Sequence, residues 1–574
     1  MGSSFSRRRL LQAGAGAYAG AALSSYAPLL NSARAAGLRV PDSLPDPTRA
    51  AGTPSDAMPF DHIVVVMQEN HSFDNYLGML PRRGQPAADA FTFDAAGKPL
   101  NYNPYKSGYI NVQRATTLCQ PGGPSQAWKG THLDVNGGKM DGFATTSPNS
   151  MLYYDEQDLP FYYSLAKTFA LNDRWFCSAP CQTYPNRRFM LAGTAFGLIS
   201  TDTNSITEDP PNGTIFDRLN QHGVSWRNYF SDIPETAVIF SIPERNPLNL
   251  GTIAQFQLDC ATGNLPAVSF VDSDIGVAGE VTSPVFGTIQ APFAQSLQNT
   301  IGAQNQDEEN PSDISLGENF VANIVNGVLN SPAWPRILLL WVYDEHGGYF
   351  DHVPPPAAIP PDNIQPRLGP NDPKGGYDVY GPRVPAVVVS GYARPHTVTS
   401  VVHDHTSILA TIEAKWNLPA LTHRDANAAT MMDFLDPSAP TFPEPPTLAN
   451  PSAQTTSERN CSFDSPAFTI HPNPPPDLSQ GTAAHLVAHF YGHGSRAKRP
   501  LVVLNTRSGA LKGLTIELRR GSTLVAKAEV GHVSKARHRA PLHLRAGQHF
   551  TAGRYNLVVR QGAKTILRRR VRLG

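Results

Sequence analysis

The sequence predicts a large layered α/β domain followed by a small antiparallel β-sandwich. Three observations carry that reading. Apolar, β-branched runs recur through the body of the chain: Ile63-Val64-Val65-Val66, Ala267 to Val271, Ile337 to Val342 and Val384 to Val389. They are continuous rather than alternating, as strands covered on both faces are. Segments of helical character lie between them, such as Gly317 to Leu329 and Thr406 to Trp416. Toward the C-terminus the pattern changes: Leu514 to Arg519, Leu542 to Arg545, Tyr555 to Arg560 and Thr565 to Arg568 alternate apolar with polar, with small turn residues between them. A chain of 574 residues is also too long for one core, so at least two domains are expected.

In chain order, residues 1–35 read as an export signal. Ser6-Arg7-Arg8-Arg9-Leu10-Leu11-Gln12 is a twin-arginine pattern, a small-residue apolar stretch follows to about Leu30, and Ala33-Arg34-Ala35 supplies a cleavage site. The competing reading is a membrane anchor, but the Gly, Ala and Ser content makes the stretch weakly apolar for a spanning helix. The expected location is therefore secreted or periplasmic, by the twin-arginine pathway.

A lead-in (36–56) precedes the α/β domain at 58–436. The stretch 437–480 is rich in Pro, Ser, Thr and Asn and reads as a linker, and 481–574 is the sandwich. The net charge of zero hides an asymmetry, because from Tyr491 onward nineteen Lys and Arg stand against Glu517 and Glu529 alone. That is either a solvated sheet face or an attraction to an anionic membrane or envelope polymer. No nucleic-acid motif accompanies it. The five cysteines form no CxxC or Cys/His pattern, which argues against thiolate metal binding. In an oxidising compartment one or two disulfides and an odd thiol are expected.

The chemistry-bearing residues gather at strand ends. The run at Ile63 leads into Glu69-Asn70-His71-Ser72-Phe73-Asp74, and that at Leu338 into Tyr343-Asp344-Glu345-His346-Gly347-Gly348-Tyr349-Phe350-Asp351-His352. In open α/β sheets ligands collect beyond the carboxyl ends of strands. Adjacent buried carboxylates repel, and a shared cation relieves them, so the Glu69-Asn70 and Asp344-Glu345 pairs are expected to converge on one divalent ion. A nucleophile is sought in Cys177-Ser178-Ala179-Pro180-Cys181-Gln182-Thr183-Tyr184-Pro185-Asn186-Arg187, where Pro185 marks a helix start. Thr183 there faces unpaired N–H groups that also suit a phosphate. It could equally be only a cap, and Ser178 competes with it. His132, in a turn-rich stretch before Asn136-Gly137-Gly138, joins His346, His352 and His405 as candidates. No G-x-S-x-G elbow is present, which disfavours a generic serine hydrolase.

ENHSFDNY (69–76), NGGKMDGF (136–143), TYPNR (183–187), YDEHGGYFDHVPPP (343–356) and DHTSIL (404–409) together resemble the bacterial phosphoesterase family of phospholipases C and acid phosphatases. The basic tail is similar to a C-terminal domain that some of those phospholipases C carry. The resemblance implies an alkaline phosphatase-like fold and a metal held by Glu69, Asn70, Asp344 and Glu345. It also implies Thr183 as nucleophile rather than Ser178, with His132 in the active site and His352 and His405 as weaker assignments. Two departures stand out: His71 where the family usually has Arg, and Asn310 where it usually has His. The implied activity is an exported phospholipase C acting on phospholipid, with the leaving alcohol protonated by His132 or His352. The alternatives are a nonspecific acid phosphatase and a non-catalytic envelope-binding relative.

Overall fold

A computed structural model describes residues 38–274, 306–453, 461–472, 486–491, 500–506, 511–521, 523–533, 538–546, 548–561 and 564–573. The expected signal peptide lies outside these residues. The chain divides into two compact units, Met1–Pro474 and Pro475–Gly574. Among the described residues, no helix is long and apolar enough to cross a membrane.

The first unit is built on one eight-stranded sheet. Its strands are β1 (His62–Gln68), β2 (Ala170–Asn172), β3 (Trp226–Phe230), β4 (Leu250–Thr252), β5 (Val268–Asp272), β6 (Ile337–Tyr343), β7 (Ala386–Ser390) and β8 (Thr397–Thr399). They lie in the order β8-β2-β7-β6-β1-β5-β3-β4. Every pairing is parallel except those of β7, which runs against both neighbours. The four apolar runs of the sequence thus become β1, β5, β6 and β7. In β6 all seven residues are buried, as in a sheet covered on both faces. Each large aliphatic side chain so buried contributes about 1.5–3 kcal/mol.

Five helices matter for the site: α1 (Phe73–Leu77), α2 (Trp128–Val135), α3 (Thr183–Ala192), α4 (Ile314–Leu329) and α5 (Thr406–Trp416). Asp313 caps α4 by accepting from the Ser315 N–H, and the helix turns Phe320, Val321, Ile324, Val325 and Val328 inward at helical spacing. The expected helices at 317–329 and 406–416 correspond to α4 and α5.

The stretch expected as a linker behaves differently where it is described. Phe442 N–H donates to Gly391 O at 2.8 Å and His471 N–H to Tyr109 O at 2.9 Å. Ser452 N–H donates to Glu318 Oε2 at 2.7 Å. Cys461 is disulfide-bonded to Cys119, 342 residues earlier in the chain. Residues 437–453 and 461–472 are therefore a strap on the first unit; Pro-rich composition removes regular structure without preventing tertiary bonds. Cys177, Cys181 and Cys260 are free and buried, leaving three thiols rather than one.

The second unit holds two antiparallel sheets. One has the order Leu486–Tyr491, Leu501–Thr506, His538–Pro541. The other runs His543–Leu544, Thr523–Val533, Leu511–Arg520, Gly553–Gln561, Lys564–Leu573. Val502, Leu504 and Ala540 of the first share a core with Leu514, Ile516, Leu518, Leu557 and Val559 of the second, which makes the unit a sandwich.

A bridge closing so long a loop constrains the unfolded chain strongly. Cys461→Ser is expected to destabilise the first unit by about 2–5 kcal/mol. Denaturant melts of both proteins check this; an unchanged midpoint would show the strap to be held by its hydrogen bonds alone.

Candidate active site

The parallel register of β1 and β6 sets Gln68 beside Tyr343, so the next residues, Glu69 and Asp344, leave the sheet side by side. The loops are then tied together. Asp344 N–H donates to Gln68 O at 3.0 Å, and Asn70 N–H donates to Asp344 Oδ1 at 3.3 Å. Asn70 takes a left-handed backbone with φ 71°, which Asn tolerates better than most residues. Beyond Glu345 the chain turns at Gly347 with φ 63°, where a Cβ would come within 1.9 Å of the Asn70 carbonyl oxygen. Only glycine fits there.

Thr183 comes from α3. The Asn186 side chain folds back to donate to Cys181 O at 2.8 Å and Gln182 O at 3.1 Å, while its oxygen accepts from Ala179 N–H at 3.0 Å. This fixes the approach to the helix. Gln182 is the N-cap and its side chain makes no capping bond, so Thr183 is the first helical residue and its hydroxyl is not spent on capping. Instead the hydroxyl lies toward Asp344, where it favours the charged carboxylate. Ser178 is fully buried, donating to Asp404 Oδ2 at 2.9 Å and accepting from His405 N–H at 3.2 Å. Its oxygen holds loops together.

One turn after Thr183, Arg187 enters the same group. Its Nη2 lies 3.2 Å from Glu69 Oε1 and its Nε 3.7 Å from Asp344 Oδ2, and it pairs with Glu235 as well. Burial, together with the Asp344 charge, drives the Glu69 carboxyl well above the usual carboxylate range, and Arg187 only partly opposes this. Burial raises Asp344 too, against Arg187 and the hydrogen bonds it accepts. Glu345 is raised by burial and by Asp344. Asn70 Oδ1, Asp344 Oδ2 and Glu345 Oε1 are buried with no hydrogen-bond partner among the described residues. Crowded, desolvated carboxylates with orphaned oxygens are the environment that a divalent cation relieves, and an all-oxygen donor set suits a hard one. Among the described residues at this end of the sheet, Glu69, Asp307 and Glu309 lie close enough together to hold such an ion.

The structure thus brings Glu69, Asn70, Asp344, Glu345 and Thr183 together. His405 supports them from behind: Nδ1 accepts from Trp175 Nε1–H at 3.3 Å, so Nε2–H donates to Asp344 O at 2.5 Å. Burial pushes its pKa down to about 4. His346 Nδ1 lies 3.3 Å from Glu345 Oε2, in a ring pushed down to about 3 by burial. His132 is helical rather than in a loop, since α2 runs from Trp128 to a left-handed cap at Asn136. Its Nδ1 bonds Trp128 O at 2.6 Å and its Nε2 is buried without a partner. Among the described residues, no hydrogen bond joins it to the carboxylate group.

His352 is drawn elsewhere. Its Nδ1 donates to Asp74 Oδ2 at 2.6 Å and its Nε2 to Asp89 Oδ1 at 3.2 Å, while Arg383 bonds Asp74 and Asp351 alongside. Both ring nitrogens are committed to carboxylates, which leaves no free position for proton transfer. The two departures also have definite places. His71 stacks between Tyr76 and Tyr349 and bonds Asn75 Oδ1 at 2.6 Å, with burial pushing it down to about 3. Asn310 Nδ2 lies 3.4 Å from both Gly347 O and Tyr349 Oη.

Sequence reasoning missed Arg187, Glu235, and the acids Asp307 and Glu309, whose oxygens gather with those of Glu69. Arg187 carried a signal, because it stands four residues after Thr183 and so on the same helical face.

The His352 network carries a pH signature. Burial alone would lower the ring's pKa, but the Asp74 charge and the bonds to Asp74 and Asp89 push it up to about 10 from 6.5. A raised pKa contributes stability fully below about 6.5 and loses it as pH climbs through 10. His352→Asn should therefore destabilise by about 3–5 kcal/mol near pH 6, with the penalty shrinking toward pH 10. Melts across that range check it; a pH-independent penalty would mean the ring is neutral.

Residues 60–419 match the model of the Phosphoesterase family. Non-specific phospholipase C1 of Arabidopsis thaliana is 32% identical over 408 residues, covering 66% of this chain and 71% of its own. Phospholipase C A of Mycobacterium tuberculosis is 29% identical over 438 residues, covering 70% and 82%. A solved member of the alkaline phosphatase superfamily from Vibrio parahaemolyticus aligns over 94% of this chain and 90% of its own, at 8% identity and a TM-score of 0.32, too slight a likeness to bear on function. The match over most of the first unit means that this chain belongs to the Phosphoesterase family and is a phosphoric ester hydrolase.

Proposed function

We propose that this chain is an exported phospholipase C that cleaves the glycerol-side phosphodiester of phospholipids, with Thr183 as nucleophile. The observation that carries the reading is the Thr183 hydroxyl against Asp344, at strand ends where Glu69 stands alongside. The names of the relatives in plants and mycobacteria support the substrate class. The twin-arginine pattern supports export, and the basic sandwich supports peripheral contact with an anionic membrane or envelope.

Glu69, Asn70, Asp344 and Glu345 would hold one divalent cation, which when bound supplies positive charge against the nucleophile and the phosphoryl oxygens. The chain's own residues account for the rest. Asp344 orients the Thr183 hydroxyl and is placed to take its proton. The Thr183 oxygen attacks phosphorus in line with the diacylglycerol oxygen, forming a phosphothreonine that carries the headgroup as that bond breaks and the leaving oxygen takes a proton from solvent. Phosphoryl oxygens settle at the α3 N-terminus, where unpaired N–H groups and the helix dipole favour negative charge. Water then releases the phospho-headgroup. His132 suits this second step: burial lowers its pKa, and with Nδ1–H held by a carbonyl, Nε2 carries the free lone pair that accepts a proton from water.

Thr183→Ala should lower turnover by about a thousandfold or more with an unchanged circular dichroism spectrum. A variant that stays active removes the covalent step. A panel of choline, ethanolamine and glycerol phospholipids beside p-nitrophenyl phosphate tests the substrate class; turnover of the monoester alone would replace this reading with a phosphatase.

A further inference from the structure

Three acids pair with the Arg187 guanidinium, and one of them, Glu235, stands outside the donor set at the strand ends. Nη2 lies 3.2 Å from Glu69 Oε1, Nε lies 3.7 Å from Asp344 Oδ2, and Nη1 takes Glu235 as its nearest partner. Arg187 and Glu235 are both buried, so their attraction is little screened. A guanidinium presents its donors in a rigid fork, and a bond on one edge limits where the others can go. The effect is visible at Asp344. Its Oδ2 has no hydrogen-bond partner among the described residues, although Arg187 is the cation beside it.

Glu235 is built into its position. It opens a short turn, Glu235–Val238, that follows β3. Its N–H donates to Asp272 Oδ2 at 2.9 Å, at the end of β5. Asn228 of β3 donates to the same oxygen at 2.6 Å, and the Thr236 hydroxyl donates to Asn228 Oδ1 at 2.6 Å. Asn228, Thr236 and Asp272 are all buried. Ile233 and Ala237, which flank Glu235 in the chain, pack with Ile206 and with Tyr184 of α3. A turn fastened to two strands and to the helix that carries Arg187 has little freedom to follow the guanidinium toward Asp344.

Charge gives this geometry its consequence. A cation held by Glu69 and Asp344 competes with Arg187 for the same carboxylates, and the two positive charges repel at short range. Glu235 offsets the guanidinium charge and retains it through Nη1. Without that carboxylate, the whole guanidinium would turn to Glu69 and Asp344.

We infer that Glu235 is a positioning residue for the metal: by holding Arg187, it keeps the guanidinium from filling the Glu69 and Asp344 oxygens that a divalent cation needs. The inference rests on the reading of Glu69, Asn70, Asp344 and Glu345 as that cation's donors.

The test uses full-length protein stripped of metal and titrated with Mn²⁺ alone, an ion suited to oxygen donors, with free Mn²⁺ read by EPR and fold checked by circular dichroism. Glu235→Gln should bind Mn²⁺ about tenfold more weakly than wild type, as one uncompensated neighbouring charge requires. Arg187→Met should bind it about threefold more tightly, and the double variant should return to wild-type affinity or better. An affinity unchanged in Glu235→Gln overturns the inference and leaves the ion itself standing. A double variant as weak as Glu235→Gln also overturns it, because the effect would then not pass through Arg187. If Glu235→Gln does not fold, Arg187→Met decides, and weaker binding than wild type overturns the inference. No ion bound in wild type removes the metal reading and this one with it.

Discussion

Everything at the site follows from like charges being forced together where water is scarce. The β1–β6 ladder is fixed by burial of nearly every side chain along it, and this sheet energy is what holds Glu69 beside Asp344. Electrostatics alone would separate them. Arg187 offsets part of the repulsion, but a single guanidinium is shared by Glu69, Asp344 and Glu235. The remaining excess of negative charge is of the kind that a bound cation relieves.

The surrounding structure serves to keep that arrangement from relaxing. Gly347 lets the Asp344 loop lie directly on the Asn70 carbonyl, and His405 grips the Asp344 backbone from the other side. Asn186 and Ser178 spend their polar groups on loop geometry, one fixing the start of α3 and the other joining it to the Asp404-His405 turn. Thr183, not consumed in this way, keeps its hydroxyl toward Asp344.

The strands and their terminal motifs were legible because they are contiguous: a buried run and the polar residues that end it appear together in the sequence. The α3 start was legible for the same reason, through Pro185. What depends on long-range convergence was not. The acids at 307–309 lie far from Glu69 in sequence, and their approach depends on a left-handed Glu308 that no local pattern announces. His352 follows Asp344 closely in the chain, yet the turn at Gly347 and Gly348 sends it to Asp74 and Asp89. His132 was read as loop because turn residues follow it, although they only end its helix. Composition suggested a linker at 437–480 because it reports how a segment behaves alone, and the strap is held by partners elsewhere.

The staple at that strap reaches further than its own neighbourhood. Cys119 pairs, residue for residue, with Asp313, and Gln120 with Ser312, just beyond the acidic loop. One end of the Asp307–Glu309 segment is therefore moored to a sulfur–sulfur bond, and that bond persists only outside reducing cytosol. A copy of the chain kept among cytosolic thiols would keep that strand pairing and lose the covalent tie behind it.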